Sequence, residues 1–218
     1  LILSLFIFSC SPPNNYDILI KNGTIVDGSG NPTYLGSVGI NADTIAAVGK
    51  LKATGTLEID ATGLLVSPGF INVLSWATES LIEDGRSLSD IMQGVTLEVF
   101  GEGWSMGPYD EDLKKELQSA QGDIKYEMDW NTLDEYLQSL TKRGISPNVA
   151  SFIGATTVRI NHIGYENRAP TDQELTSMKN MVKEAMEDGA LGVGSSLIYA
   201  PAFYSSTEEL IALCKVAS

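Results

Sequence analysis

A single histidine, His162, and two cysteines, Cys10 and Cys214, are all the imidazole and thiol that these 218 residues offer. A lone histidine cannot make a multi-imidazole metal site, and on a segment read as a loop it fits a surface or hydrogen-bonded role better than a ligand role. Two thiols allow at most one disulfide. Cys214 falls among Leu210, Ile211 and Leu213 on a helical pattern, which reads as packing. Basic residues are scarce: 14 Lys and Arg stand against 28 Asp and Glu, a net charge of −14, so a phosphate-tracking surface is excluded and no nucleic-acid partner is expected. Asp27-Gly28-Ser29-Gly30 has no helix after it, so it reads as a turn and not a phosphate loop. No apolar run reaches the roughly 20 residues needed to span a bilayer.

What is present begins with continuous apolar sequence, Leu1 to Phe8, then Ser9-Cys10 and a Pro/Asn stretch. Its length suits the hydrophobic part of a secretory signal. Ile7-Phe8-Ser9-Cys10 resembles a bacterial lipobox, which implies lipidation of Cys10, export to the envelope or periplasm, and a membrane link only through that anchor. The start lacks Met and a basic region, as if cut off.

From Tyr16 the pattern is short strands with turn punctuation: Asp17 to Ile20, a turn at Asn22-Gly23, Thr24 to Val26, Ser37 to Ile40, a turn at Asn41-Ala42-Asp43, and Thr44 to Val48. After Asp60 the pattern becomes apolar strand, loop and amphipathic helix in alternation, the mark of βα units on a parallel sheet. Four strands are expected, Leu64 to Ser75, Thr96 to Glu102, Asn148 to Gly154 and Ala190 to Leu197. The clearest helix spans Asp172 to Glu187, opened by Thr171 with Glu174 as a capping box and closed by Asp188-Gly189; another begins near Ser206. The expected organisation is a signal and tether over 1–15, small β-sandwich strands over 16–63, and the first half of a barrel over 64–218.

Residues Leu64-Leu65-Val66-Ser67-Pro68-Gly69-Phe70-Ile71-Asn72 resemble the strand that opens the barrel of the amidohydrolase superfamily, and Ile45-Ala46-Ala47-Val48-Gly49 resembles its N-terminal sandwich. Further stretches resemble the N-acyl-D-amino-acid deacylases (D-aminoacylases): Gly94-Val95-Thr96-Leu97-Glu98-Val99, Gly101 to Pro108, Arg168 to Leu175, Glu187 to Gly192 and Ser195 to Pro201. The resemblance implies an α/β fold, the N-terminal part of a TIM-like (β/α)8 metal-dependent hydrolase barrel preceded by a small β-sandwich. It also implies hydrolysis of a linear amide bond in N-acyl-D-amino acids or related small molecules. About 150 residues suffice for about four βα units, so the general base and most metal ligands are expected beyond Ser218.

Where the family carries His-x-His this chain has Leu74 and Trp76, neither able to bind zinc. The family's zinc-ligating cysteine aligns with Glu102, whose carboxylate could serve as the ligand or be a charged loop residue or a base. One zinc is expected in the full-length protein, polarising the carbonyl and activating water. Tyr199, Ser196 and Trp104 are candidate substrate contacts, with Tyr204 nearby and Trp76 beside Trp104 as pocket floor; Arg159 is either pocket-facing or in a structural ion pair. Two other readings stay open: a non-catalytic envelope lipoprotein binding on a degenerate scaffold, and an amidohydrolase acting on a cyclic amide or dipeptide.

Overall fold

A computed structural model describes residues 14–218; the apolar N-terminal segment and Cys10 lie outside the described residues. The chain divides into two compact units with the boundary between Pro68 and Gly69.

The first unit is one five-stranded sheet: β1 (Asn14–Ile25), β2 (Tyr34–Asn41), β3 (Thr44–Gly49), β4 (Ala53–Asp60) and β5 (Leu65–Val66). Its order is β3-β2-β1-β4, with β5 also on β1; β2 runs antiparallel to β1, whereas β4 and β5 run parallel to it. The expected turn at Asn22-Gly23 is instead a bulge inside a continuous β1. The register shifts between Ile20 and Gly23, and Asn22 takes φ 63° while its side-chain amide donates to Asp60 Oδ1 at 3.0 Å. The positive-φ tolerance that suggested a hairpin serves the bulge equally well. Gly23 is required there, because a Cβ would lie 2.5 Å from Val66 Cγ2. The β2–β3 turn lies where expected: Ala42 has φ 51°, and its N–H donates to Asp17 Oδ2 at 2.7 Å.

The second unit carries β6 (Phe70–Asn72), β7 (Val95–Phe100), β8 (Asn148–Ser151), β9 (Ile153–Gly154) and β10 (Val193–Gly194). β6, β7 and β8 pair in parallel, as do β9 and β10, and only Phe152 separates β8 from β9. The strands therefore lie side by side in chain order. The expected strand from Leu64 to Ser75 is divided at Ser67-Pro68-Gly69: Leu65–Val66 joins the first sheet and Phe70–Asn72 the second. Proline supplies no ladder N–H, and a side chain at Gly69 would put Cβ 2.1 Å from Thr96 Oγ1.

The helices are α1 (Ser80–Glu83), α2 (Leu88–Ile91), α3 (Glu111–Ala120), α4 (Leu133–Arg143), α5 (Ala155–Ile163), α6 (Asp172–Glu187) and α7 (Thr207–Ala217). α6 starts with the anticipated reciprocal capping box of Thr171 and Glu174, and Met178, Val182 and Ala185 form its buried stripe. α4 uses the same device with Thr132 and Glu135. Its Tyr136 is fully buried between Phe100, with ring centroids 6.4 Å apart, and Trp130, at 5.2 Å. These rings centre the core that fixes the helices against β7. α5 covers the segment read as a loop, so His162 sits on a helix.

Candidate functional site

The strand ends meet at a run of glycines. β7 runs into Gly101-Glu102-Gly103-Trp104-Ser105, and Gly101 and Gly103 have φ 95° and 82°. A Cβ on Gly101 would fall 2.2 Å from Phe152 O, one on Gly154 2.2 Å from Gly103 O, and one on Gly194 2.1 Å from Gly101 O. Backbone packs on backbone here because no side chain intervenes. The loop is then pinned. The Thr156 N–H donates to Gly103 O at 2.9 Å, the Ser105 N–H to Thr157 Oγ1 at 2.9 Å, the Gly154 N–H to Ser105 Oγ at 3.1 Å, and the Tyr109 hydroxyl to Ser105 O at 2.9 Å.

A cavity of about 320 Å³ opens beside this loop, bordered by Ser75, Trp76, Glu79, Glu102, Trp104 and Tyr126, among others. Glu102 is partly buried and takes no part in the bonds that pin its neighbours. Leu74 and Trp76, at the positions of the family's histidine pair, are 50% and 58% exposed. Between them Ser75 is buried, donating from Oγ to Glu98 Oε2 at 2.6 Å. Glu98 is fully buried and also accepts from Ser87 Oγ at 2.8 Å. It shares a face of β7 with Phe100, the face packed on α4 by the Phe100–Tyr136 contact. Glu98 therefore ties the end of β6 and the start of α2 to β7 and does not itself line the cavity. Its one sequence signal is a charge inside an apolar strand.

Of the candidate residues, the fold brings Glu102, Trp104 and Trp76 to one cavity. Ser196 approaches the loop at Gly103, where a glycine Cβ would lie 2.9 Å from its own Cβ. Tyr199 is 63% exposed and does not line the cavity; Tyr204 is half-buried. Glu79 and Tyr126, which sequence reasoning passed over, do line it, and the Tyr126 hydroxyl donates to Glu79 Oε1 at 2.9 Å. Neither bears a motif, because their meeting depends on a contact 47 residues long.

Arg159 is a structural residue. Fully buried, it pairs with Glu209 at 2.7 Å and donates to the carbonyls of Arg168 and Glu166. His162 is half-buried, its Nε2 has no partner, and burial lowers its pKa. Cys214 is exposed, against the expectation of packing, because α7 buries the face carrying Glu209 and Leu213 and the next residue turns about 100° away.

Among the described residues no group of three or more His, Cys, Asp or Glu could hold a metal ion. Glu102 is an available oxygen donor at a strand end, but Leu74 and Trp76 supply nothing beside it, so these residues do not close a coordination shell.

No family model matches the chain. It is 32% identical to a D-aminoacylase of Alcaligenes xylosoxydans xylosoxydans, over 95% of this chain and 43% of that protein. It is 30% identical to an N-acyl-D-aspartate deacylase from the same organism, over 93% of this chain and 41% of the relative. Among solved structures, a D-aminoacylase described for its binuclear metal centre, with one-metal activation and second-metal attenuation, superposes at TM-score 0.78, with 30% identity over 92% of this chain and 43% of its own. The N-acyl-D-glutamate deacylase of Bordetella bronchiseptica, complexed with zinc and a phosphonate mimic of the tetrahedral intermediate, superposes at 0.79, with 27% identity over 94% of this chain and 43% of its own. The chain thus spans about two fifths of the length of these relatives. Its homologues and structural neighbours are D-aminoacylases and N-acyl-D-amino-acid deacylases, a subset of the amidohydrolases.

Proposed function

We propose that the full-length protein is a metal-dependent amidohydrolase that cleaves the amide bond of N-acyl-D-amino acids, with this chain forming the N-terminal portion of its barrel behind a small sandwich subdomain. The observation that carries the reading is the match in sequence and fold to D-aminoacylase along 92% of the chain, at TM-score 0.78. The side-by-side parallel strands and a cavity at their C-terminal ends are consistent with it, since barrel enzymes place their chemistry there.

Zinc, when bound, would supply polarisation of the scissile carbonyl and an activated water. This chain contributes one candidate ligand, Glu102, and lacks the imidazole pair, which favours a single zinc in the full-length protein. Its other contributions are to position and to exclude water. Trp76 and Trp104 give the cavity apolar walls, and the glycine-packed loop holds Glu102 at a fixed place. Ser196 and Tyr199, which follow β10, are proposed to meet substrate from the facing side. We also propose that Cys10 is lipidated and holds the enzyme in the envelope; a Cys10→Ser variant should then lose incorporation of labelled fatty acid.

The test is to express the full-length protein, measure bound metal and assay N-acetyl-D-leucine against its L-enantiomer. About one zinc per chain and hydrolysis of the D-form alone are expected. Metal-free protein that cleaves neither would favour the second reading, a binding protein on a degenerate scaffold, for which the absence of donors at Leu74 and Trp76 is the specific support.

A further inference from the structure

The cavity beside Glu102 has an unusual balance of walls. Its aromatic side chains are Trp76, Trp104, Tyr109 and Tyr126, its only charged ones among the described residues are Glu79 and Glu102, and no described Lys, Arg or His lines it. Glu79 is held in place: Tyr126 donates to its Oε1 at 2.9 Å, leaving Oε2 outside that bond. Tyr126 is itself clamped. Its N–H donates to Gln121 Oε1 at 3.2 Å, its carbonyl accepts from Gln121 Nε2 at 2.8 Å, and its ring stacks on Trp130 with centroids 5.9 Å apart and planes 10° apart. Burial and the adjacent Glu79 push the phenol pKa up, so it remains a donor at any working pH.

Such a cavity discriminates by charge. An anionic group would enter a partly desolvated space facing the Glu79 carboxylate, with no Lys, Arg or His among the described lining residues to offset it. A neutral apolar group would use the ring faces but leave the Glu79 carboxylate desolvated without a new partner. A cation satisfies both, because ring faces and carboxylate attract it together. We propose that this cavity is the subsite for a cationic group of the substrate, a primary ammonium or guanidinium, with Glu79 as its counter-ion. The word substrate rests on the hydrolase reading above; the preference of the cavity for a cation does not.

Titration calorimetry on the full-length protein with benzylammonium, benzyl alcohol and benzoate tests the cavity directly. Benzylammonium should bind about tenfold more tightly than benzyl alcohol, and benzoate more weakly than either. In Glu79→Gln, which keeps an acceptor for Tyr126, that advantage should vanish while the melting midpoint stays close to wild type. Equal affinity for ammonium and alcohol, or an advantage that survives Glu79→Gln, overturns the proposal. Assays with N-acetyl-D-lysine and N-acetyl-D-leucine separate it from the reading it rests on. Cleavage of neither removes the hydrolase while calorimetry still decides the cavity. Cleavage of the leucine derivative without preference for lysine keeps the hydrolase and overturns the cationic subsite.

Discussion

The two units of the chain reach order by different means. The first is one sheet with a small core of Tyr16, Leu19, Ile25 and Val38, and it leaves Leu35, Ile45, Leu57 and Leu65 more than half exposed. Its ion pair, Lys21 with Glu58 at 2.6 Å across β1 and β4, stands at the surface. The second encloses Trp130, Tyr136, Phe100 and Val158 almost completely and buries the Arg159–Glu209 pair with them. Similar distances therefore carry different weight: an exposed pair competes with water and salt, whereas a buried one cannot lose a partner without leaving a bare charge. The second unit also supplies the cavity beside Glu102.

Breaking the buried pair should show the largest effect. Arg159→Ala is expected to lower stability by about 3–5 kcal/mol in denaturant unfolding, because Glu209 would be stranded. Arg159→Met with Glu209→Leu should recover most of that loss; no recovery would mean that the carbonyl contacts of Arg159, and not its charge, dominate.

Next comes the glycine seam. Gly154→Ala forces a Cβ to 2.2 Å from the Gly103 carbonyl, so a loss of about 1–3 kcal/mol is expected, together with weaker binding in the cavity. A wild-type melting curve with unchanged binding would show that the loop is not fixed by this packing.

Thr171→Ala removes the side-chain half of the α6 capping box and should cost about 1 kcal/mol. The smallest effects belong to the surface. Lys21→Met should leave the unfolding midpoint unchanged within error, and a clear drop would contradict the contrast between the units. Glu174, paired with Arg168, has its pKa lowered to about 2. Its folded value lies below the unfolded one, so its contribution is full above the ordinary carboxylate pKa and is lost as pH falls toward about 2. The acid limb of stability should therefore flatten over that window in Arg168→Met.

How much of this was legible in advance depended on the range of the interactions involved. α6 could be read residue by residue, since a cap three residues from its partner and an apolar stripe at helical spacing are local properties. The strand at β4 carried no comparable signal, and it exists because β1 offers a parallel edge. Glu102, Trp104 and Trp76 were selected from a family resemblance, and the fold places all three on one cavity. Glu79 and Tyr126 were invisible until the chain between them closed.

Local chemistry thus determined the starts of α6 and α7, the turn at Ala42 and the alternation of strand and helix that announced a parallel sheet. Tertiary structure alone decided that Pro68-Gly69 would divide a single apolar run between two sheets, that Glu98 would be buried against Ser75 and Ser87, and that Arg159 would find Glu209 fifty residues away. The reason lies in where each free energy resides: caps and periodicity act within a turn or two of the backbone, whereas the cost of burying a charge exists only once distant segments have closed around it.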